Sequence, residues 1–235
     1  MLADEALTGR SDSHVRAFAL PGGASFRAQP QAGEALLALH AAAAQAGIDL
    51  AVASAWRGFV DQARIWQAKW RGERPLYDAH GQPLDYAALD EAGRVAAILE
   101  WSALPGASRH HWGSEFDVYD RAALPEGYRL QLLPAEYAPD GPFARLSAWL
   151  DAHMAAFGFF RPYDAERGGM HVEPWHLSFA PVSLPALPRL TPALMAHALS
   201  GSELGGEALV RAQLAQIHAR QVCLVGSPSP ETKRT

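Results

Sequence analysis

Residues 108–117 read SRHHWGSEFD, directly after a Pro-Gly pair that ends a helical pattern. In this stretch His110 precedes Asp117 by seven residues, and Gly113 lies between them. A glycine at such a position indicates a turn or a close approach of the backbone to a neighbouring segment. The stretch therefore predicts a turn that leads from an imidazole to a carboxylate.

A second segment, residues 173–176, reads EPWH and places Glu173 three residues before His176. On a regular strand, two residues separated by an odd number point to opposite faces of the sheet. Pro174 donates no backbone hydrogen bond and so makes a local kink plausible. We therefore expect a strand end or a bulge here.

The residue types of the two segments suit a zinc site. Imidazole nitrogen and carboxylate oxygen both bind zinc, and a catalytic zinc site has three protein ligands. His110, Asp117 and His176 supply this set for one zinc ion. Glu173 is then a free carboxylate that can take a proton from the zinc-bound water. The alternative is an accidental cluster of polar surface residues.

Composition excludes several classes of protein. The 235 residues are 49% hydrophobic and 19% charged, which is an ordinary globular balance. A net charge of −5 without a run of Lys or Arg favours neither a nucleic-acid partner nor an anionic membrane surface. The single cysteine, Cys223, excludes a disulfide framework. No segment has the roughly 20 apolar residues of a membrane span.

Hydrophobic periodicity predicts helices separated by short extended segments. Helical patterns cover residues 33–47, 59–70, 86–102, 145–157, 193–199 and 207–219. Residues 48–54 predict a strand, residues 170–173 and 175–179 are extended in character, and 134–142 and the Pro-rich 180–192 read as loop and connector. No regular alternation of strands and helices is present, so the pattern favours an α+β fold.

The pattern Ser-x-His-x-x-Gly-x-x-x-Asp followed by Glu-x-Trp-His resembles the zinc D-alanyl-D-alanine carboxypeptidases and dipeptidases of the vancomycin-resistance type, in the LAS peptidase superfamily. Residues 54–62, SAWRGFVDQ, are similar to the Ser-x-Tyr/Phe-Arg-Ser-x-x-x-Gln segment of that family. The resemblance covers about residues 30–180. It implies the LAS/hedgehog-type fold, a small antiparallel sheet that carries the zinc site and is surrounded by helices.

The resemblance also implies roles for individual residues. His110, Asp117 and His176 match the family's zinc ligands, and Glu173 matches its catalytic base. The motif residues implied to hold the peptide are Arg57, Gln62 and Ser108, and Arg57 is also expected to assist catalysis by steadying the developing oxyanion.

Other positions stay open from sequence. His111 is expected at the pocket rim or in solvent, with a lesser possibility of acting on the substrate, and His171 is a candidate for lining the pocket or supporting the site. Glu115 stands where the family usually has alanine. It is expected either to line the pocket and repel anionic substrates or to pair with an arginine such as Arg109.

The organisation that we predict has four parts. Residues 1–29 form an N-terminal segment, 30–180 the zinc peptidase domain, 181–225 a helical extension packed on it, and 226–235 a disordered tail. The N-terminus has no apolar run of signal-peptide length, so a cytoplasmic location is the default expectation. The family resemblance makes the cell envelope the alternative.

The expected function is zinc-dependent hydrolysis of a peptide bond at or near the C-terminus of a peptidoglycan-type peptide, of the D-alanyl-D-alanine carboxypeptidase type. The expected partner is a peptide from the cell wall or its precursor. An L,D-carboxypeptidase or a peptidoglycan endopeptidase on the same scaffold is one alternative. A catalytically silent, metal-stabilised binding module is the other.

Overall fold

A computed structural model of the chain describes residues 1–228. Its larger sheet has four antiparallel strands, which lie side by side in the order Leu50–Ser54, Glu115–Asp120, His176–Phe179 and Phe159–Phe160. These strands are β3 (Leu50–Ser54), β4 (Glu115–Asp120), β5 (Phe159–Phe160) and β6 (His176–Phe179), while β1 (Arg16–Ala19) and β2 (Ser25–Ala28) form a separate hairpin. The predicted α+β class with a small antiparallel sheet is confirmed.

Helices surround the sheet and fill the rest of the fold. They are α1 (Asp4–Leu7), α2 (Pro30–Gln45), α3 (Phe59–Trp70), α4 (Glu91–Trp101), α5 (Pro134–Tyr137), α6 (Ala144–His153), α7 (Ala180–Ala186), α8 (Pro192–Ala198), α9 (Glu207–Ala212) and α10 (Leu214–Ile217). Short 3₁₀ turns cover Tyr86–Ala88, Arg109–Trp112, Arg121–Ala123, Met154–Phe157 and Leu187–Arg189, and a π turn covers His218–Val222. Within residues 1–228, no helix is long and apolar enough to span a bilayer.

The two faces of the sheet have different chemistry. Phe116 and Val118 of β4 and Leu177 of β6 are fully buried in the core that packs against α2 and α6. Because successive strand residues point to opposite faces, Glu115 and Asp117 lie on the other face. Alternation along β4 thus places an apolar face on one core and an acidic face towards the functional site.

A second core lies beside the first and is mainly helical. It joins α3 and α4 to α7–α10 and includes Trp66, Trp112 and Leu199, all without solvent exposure. The acidic face of the sheet therefore lies between a sheet-and-helix core and this helical core. The polar face is thus packed between two apolar cores.

Several predicted boundaries are wrong for identifiable reasons. The helix predicted over 86–102 begins only at Glu91, because Asp90 caps it by accepting a hydrogen bond from Gly93 N at 2.7 Å. The predicted loop 134–142 contains α5, and residues 170–175 are not a strand. The predicted connector 180–192 is largely helical, because Pro181 lies in the first turn of α7, where a missing N–H costs no helical bond.

The ends of the chain add structure that the sequence patterns did not reveal. Residues 1–29 contain α1 and the β1–β2 hairpin, and Leu7 of α1 is fully buried in the helical core. Residues 226–228 have no regular secondary structure, and the rest of the predicted tail, 229–235, lies outside the described residues.

Candidate active site

Strands β4 and β6 bring two of the predicted ligands together. Asp117 and His176 are direct cross-strand partners in the antiparallel ladder, so their side chains emerge side by side on the same face. The closest atoms of the pair, Asp117 Oδ1 and His176 Nδ1, are 3.1 Å apart. Both residues are almost fully buried.

His110 reaches the same point from the 3₁₀ turn that precedes β4. Its Nδ1 lies 2.8 Å from the carbonyl oxygen of Ala55, so this nitrogen carries the hydrogen and donates it. The other nitrogen, Nε2, is therefore left facing Asp117 Oδ2 at 3.4 Å. The imidazole thus presents its lone pair to the cluster.

The three side chains fit a metal ion. One donor atom from each of His110, Asp117 and His176 lies within 4.8 Å of the donor atoms of the other two. Asp117 Oδ1 is buried and has no hydrogen-bond donor among residues 1–228, although a buried carboxylate oxygen normally has one. Two imidazoles and a carboxylate that converge in this way form a donor set suited to zinc.

Glu173 lies beside the cluster and adds a second carboxylate to it. The chain turns at residues 173–176, with His176 N donating to Glu173 O at 3.1 Å, so the expected departure from a regular strand is present. Glu173 Oε2 lies 3.3 Å from His176 Nδ1. Burial raises the pKa of Glu173 above its usual value, and the nearby negative charge of Asp117 adds to this rise.

A cavity of about 310 Å³ opens onto the cluster. Arg57, Gln62 and Ser108, which were predicted to hold the peptide, all line it. Gln62 donates through Nε2 to Ala103 O at 2.8 Å, while its Oε1 and the Nε of Arg57 are buried and have no partner among residues 1–228. The structure thus brings the upstream motif and the metal-ligand motif to one cavity.

One wall of the cavity is basic. Arg57, Lys69 and Arg74 line it, and none of them forms an ion pair with a carboxylate of the described part of the chain. Lys69 Nζ donates to Ser102 Oγ at 2.7 Å. The pKa of Lys69 is lowered to about 8, mainly by burial and then by the positive charge of Arg74, while the negative charge of Glu173 opposes this lowering. The wall can therefore receive an anionic group.

Two histidines that the sequence left open lie outside the cavity wall. His111 is fully buried, with Nδ1 2.7 Å from Arg57 O and Nε2 accepting from Gly106 N at 3.0 Å. The expectation that it lies at the rim or in solvent is therefore wrong. The ring of His171 packs at a tilt of 34° against Trp101, with a centroid distance of 4.7 Å, and lies next to Glu100 and Glu166.

Glu115 takes the second of its two predicted roles. It is fully buried, and its Oε2 lies 3.3 Å from Arg109 Nε. It is absent from the lining of the cavity, which speaks against direct repulsion of substrates.

Sequence reasoning missed several residues of the cavity. Lys69 and Tyr163 lie in none of the motifs, and the ring of Tyr163 packs against His176 at a centroid distance of 5.0 Å. Residues 131–133 form another part of the wall, in a loop where Leu132 has a φ of 56°. A non-glycine residue in the left-handed region is uncommon, but no sequence signal marks it beforehand.

Comparisons with known proteins identify a family. Residues 25–182 match the model of the VanY family, described as D-alanyl-D-alanine carboxypeptidase. Two uncharacterized proteins of Haemophilus influenzae are similar: one is 35% identical over 121 residues, which cover 51% of this chain and 92% of the relative. The other is 40% identical over 103 residues, covering 44% and 70%.

Two solved structures have a similar fold. VanYB in complex with D-alanine-D-alanine is 22% identical, with a TM-score of 0.50, 80% of this chain covered and 90% of the other. A mutant of the vancomycin-resistance D,D-pentapeptidase VanY in complex with Zn(II) is also 22% identical, with a TM-score of 0.51 and coverage of 81% and 93%. At this identity the likeness establishes the fold.

Proposed function

This chain belongs to the VanY family of D-alanyl-D-alanine carboxypeptidases, and we propose that its cavity hydrolyses the C-terminal peptide bond of peptidoglycan-type peptides with one zinc ion. The observation that carries the proposal is the convergence of His110, Asp117 and His176 beside a separate carboxylate, Glu173. The substrate class agrees with the D-alanine-D-alanine found in complex with VanYB, which has the same fold.

His110, Asp117 and His176 would hold the zinc ion, because each of them directs a donor atom to one point. Bound there, zinc would supply a Lewis acid that polarises the scissile carbonyl and lowers the pKa of water. The buried Asp117 Oδ1, which has no hydrogen-bond partner among residues 1–228, would be free to coordinate the ion. A zinc complex is also known for a VanY protein with the same fold.

Glu173 is the proton carrier of the proposed reaction. Its carboxylate accepts a proton from the attacking water as the water oxygen bonds to the carbonyl carbon. The same carboxyl group then gives the proton to the amine nitrogen as the carbon–nitrogen bond breaks. A pKa raised by burial brings Glu173 closer to neutral pH, which suits a group that must both take and release a proton.

The basic wall favours a carboxypeptidase over an endopeptidase. A substrate of a carboxypeptidase ends in a free carboxylate close to the bond that is cut, and this charge needs a cationic partner when it enters a cavity. Arg57 can form two charge-assisted hydrogen bonds to a carboxylate, and Lys69 lies on the same wall. An endopeptidase substrate brings no such charge at this place.

Replacing Glu173 by glutamine tests the proposal. We expect E173Q to bind zinc as the wild-type protein does and to lower kcat by about 100- to 10,000-fold, because the amide cannot carry the proton. Zinc content by elemental analysis and release of D-alanine are the two measurements. Wild-type turnover in E173Q would contradict the role of Glu173 as proton carrier. Wild-type zinc binding by D117A would contradict the proposed metal site.

A panel of synthetic muropeptides tests the bond that is cut. We expect cleavage of a peptide ending in D-Ala-D-Ala and much slower cleavage of the same peptide with a C-terminal amide. Preferential cleavage of a tetrapeptide ending in an L,D bond, or of a cross-linked peptide, would instead support one of the alternative peptidases. A zinc-loaded protein that cuts none of them would be a binding module.

A further inference from the structure

Glu115 is a buried acid that the proposed reaction does not use. It lies on β4, two residues before Asp117 and on the same face, with no solvent exposure. Its cross-strand partner is Ser178, which follows His176 by two residues on β6. The Glu115–Ser178 pair is thus next to the Asp117–His176 pair on the same face of the sheet.

Several donors surround the carboxylate of Glu115. Oε1 accepts hydrogen bonds from Ser114 Oγ at 3.0 Å and from Ser178 Oγ at 2.9 Å. The guanidinium of Arg109 donates to both oxygens, at 3.3 Å to Oε2 and 3.4 Å to Oε1, and also donates to Ser178 Oγ at 2.7 Å. A buried carboxylate with an arginine and two hydroxyl donors is held in its ionised, accepting form.

The remaining contact of Glu115 is with a predicted metal ligand. Oε2 lies 2.9 Å from Nε2 of His176. An ionised carboxylate only accepts hydrogen bonds, so Nε2 must carry the hydrogen. In the neutral ring that binds a metal, the lone pair is then on Nδ1, the nitrogen that faces Asp117 at 3.1 Å. His110 is fixed in the same manner, with a backbone carbonyl as the acceptor in place of a carboxylate.

We propose that Glu115 is a positioning residue that fixes the tautomer and ring orientation of His176 and thereby strengthens zinc binding, with Arg109 as its neutralising partner. The inference rests on the proposed function insofar as His176 is taken as a ligand. A carboxylate bonded to the far nitrogen of a ligand histidine makes the near nitrogen a better donor. The ion pair with Arg109 supplies this effect without adding net charge to the site.

Zinc affinity of the E115Q variant tests the inference. The amide keeps the size of the side chain but removes its charge, and such changes typically weaken metal binding about 10- to 100-fold. The dissociation constant of zinc is measured by competition with a chromophoric chelator. S183A is the matched control, because Ser183 is hydrogen-bonded to Ser178 at 2.8 Å in the same network and makes no hydrogen bond to His176.

A second readout separates positioning from a general loss of structure. The visible absorption spectrum of the cobalt(II)-loaded protein depends on the donor strength of the ligands, so we expect it to change in E115Q and to stay unchanged in S183A. Unfolding of the metal-free proteins by urea measures any loss of stability independently.

If E115Q does not fold, the double variant R109M/E115L tests the effect of Glu115 on zinc affinity. Replacing both partners of a buried ion pair by apolar residues is often neutral for stability, so this variant is expected to fold and still to bind zinc more weakly than wild type. Wild-type zinc affinity in E115Q, or in a folded double variant, would overturn the role of Glu115. If H176A binds zinc as wild type does, the proposed metal site itself has failed.

Discussion

Asp117 and Glu173 are two carboxylates of one cavity whose surroundings separate their pKa values. Burial alone would raise the pKa of Asp117, but the imidazoles of His110 and His176 outweigh it and hold that pKa well below its usual range. Glu173 has its pKa raised, mainly by burial. Asp117 is thus kept as an anion for a metal, while Glu173 can exchange a proton.

Lys69 permits a prediction about substrate affinity. We expect K69M to raise KM for a peptide with a free C-terminal carboxylate by about 10- to 100-fold, since hydrogen bonds to charged groups contribute about 1.5–3 kcal/mol. The KM for the same peptide with a C-terminal amide should change little in K69M. R64M is the matched control, because it removes one positive charge from α3 at a residue that pairs with Asp61 and lies outside the cavity lining. Steady-state kinetics on both peptides measure the effect.

The pH profile tests the same residue. With a pKa of about 8, Lys69 is charged below pH 8 and neutral above it. Its contribution to binding an anion is therefore present below pH 8 and lost as the pH rises through this value. We expect kcat/KM of the wild type to fall on this alkaline side, and the fall to move to higher pH in K69R, because arginine stays charged. An unchanged profile in K69R would contradict the assignment.

The turn between His110 and β4 determines how the two motif halves meet. Gly113 has a φ of 68°, and its carbonyl oxygen accepts a hydrogen bond from Gln29 N at 2.8 Å. A Cβ atom there would lie 2.6 Å from Val15 Cγ1 and 2.8 Å from Gln29 N. The sequence-based expectation of a turn or a close approach at this glycine is met by both features at once.

Replacing Gly113 by alanine should therefore be costly. The left-handed backbone alone costs about 1–3 kcal/mol for a non-glycine residue, and the contact with backbone cannot be relieved by a side-chain rotation. G127A is the matched control, because Gly127 has a φ of 72° and open space around its Cβ position. We expect a clearly larger loss of unfolding free energy in urea for G113A than for G127A, together with weaker zinc binding. Equal losses would show that the close approach contributes nothing.

The two cores of the molecule meet at the site, and the C-terminal helices belong to one of them. Leu199, at the end of α8, is fully buried in the same cluster as Phe59 and Trp112, which lie within the two motifs of residues 54–62 and 108–117. This packing favours a single cooperative unit over an appended domain. The predicted boundary at residue 181 therefore separates two stretches of sequence whose side chains pack in one hydrophobic cluster.

The variant L199A tests whether the extension contributes to the stability of the whole. Truncating a buried leucine costs about 2–5 kcal/mol, so we expect one unfolding transition at lower urea concentration. L184A, at a leucine that is 42% exposed, should change little. Two separate transitions, or an unchanged one in L199A, would indicate that the residues after 181 fold independently of the peptidase domain.

Prediction from sequence succeeded where the signal is local or chemical. Helix α3 has its predicted limits, Phe59–Trp70, because its apolar spacing and the glycine that follows it act within the helix itself. It failed for residues 180–192 and for the N-terminal hairpin. The two strands of that hairpin have only four residues each, which is too short for a strong alternation of apolar and polar residues.

The sequence by itself determined the chemistry of the site, because imidazoles and carboxylates at fixed spacings restrict which metal and which proton carrier are available. Only the tertiary structure decided which groups surround them. The pairing of β4 with β6 puts Glu115 within hydrogen-bond distance of His176. The packing of α3 against α4 brings Lys69 into hydrogen-bond distance of Ser102. Such contacts join residues far apart in the chain, and no local pattern encodes the distance between them.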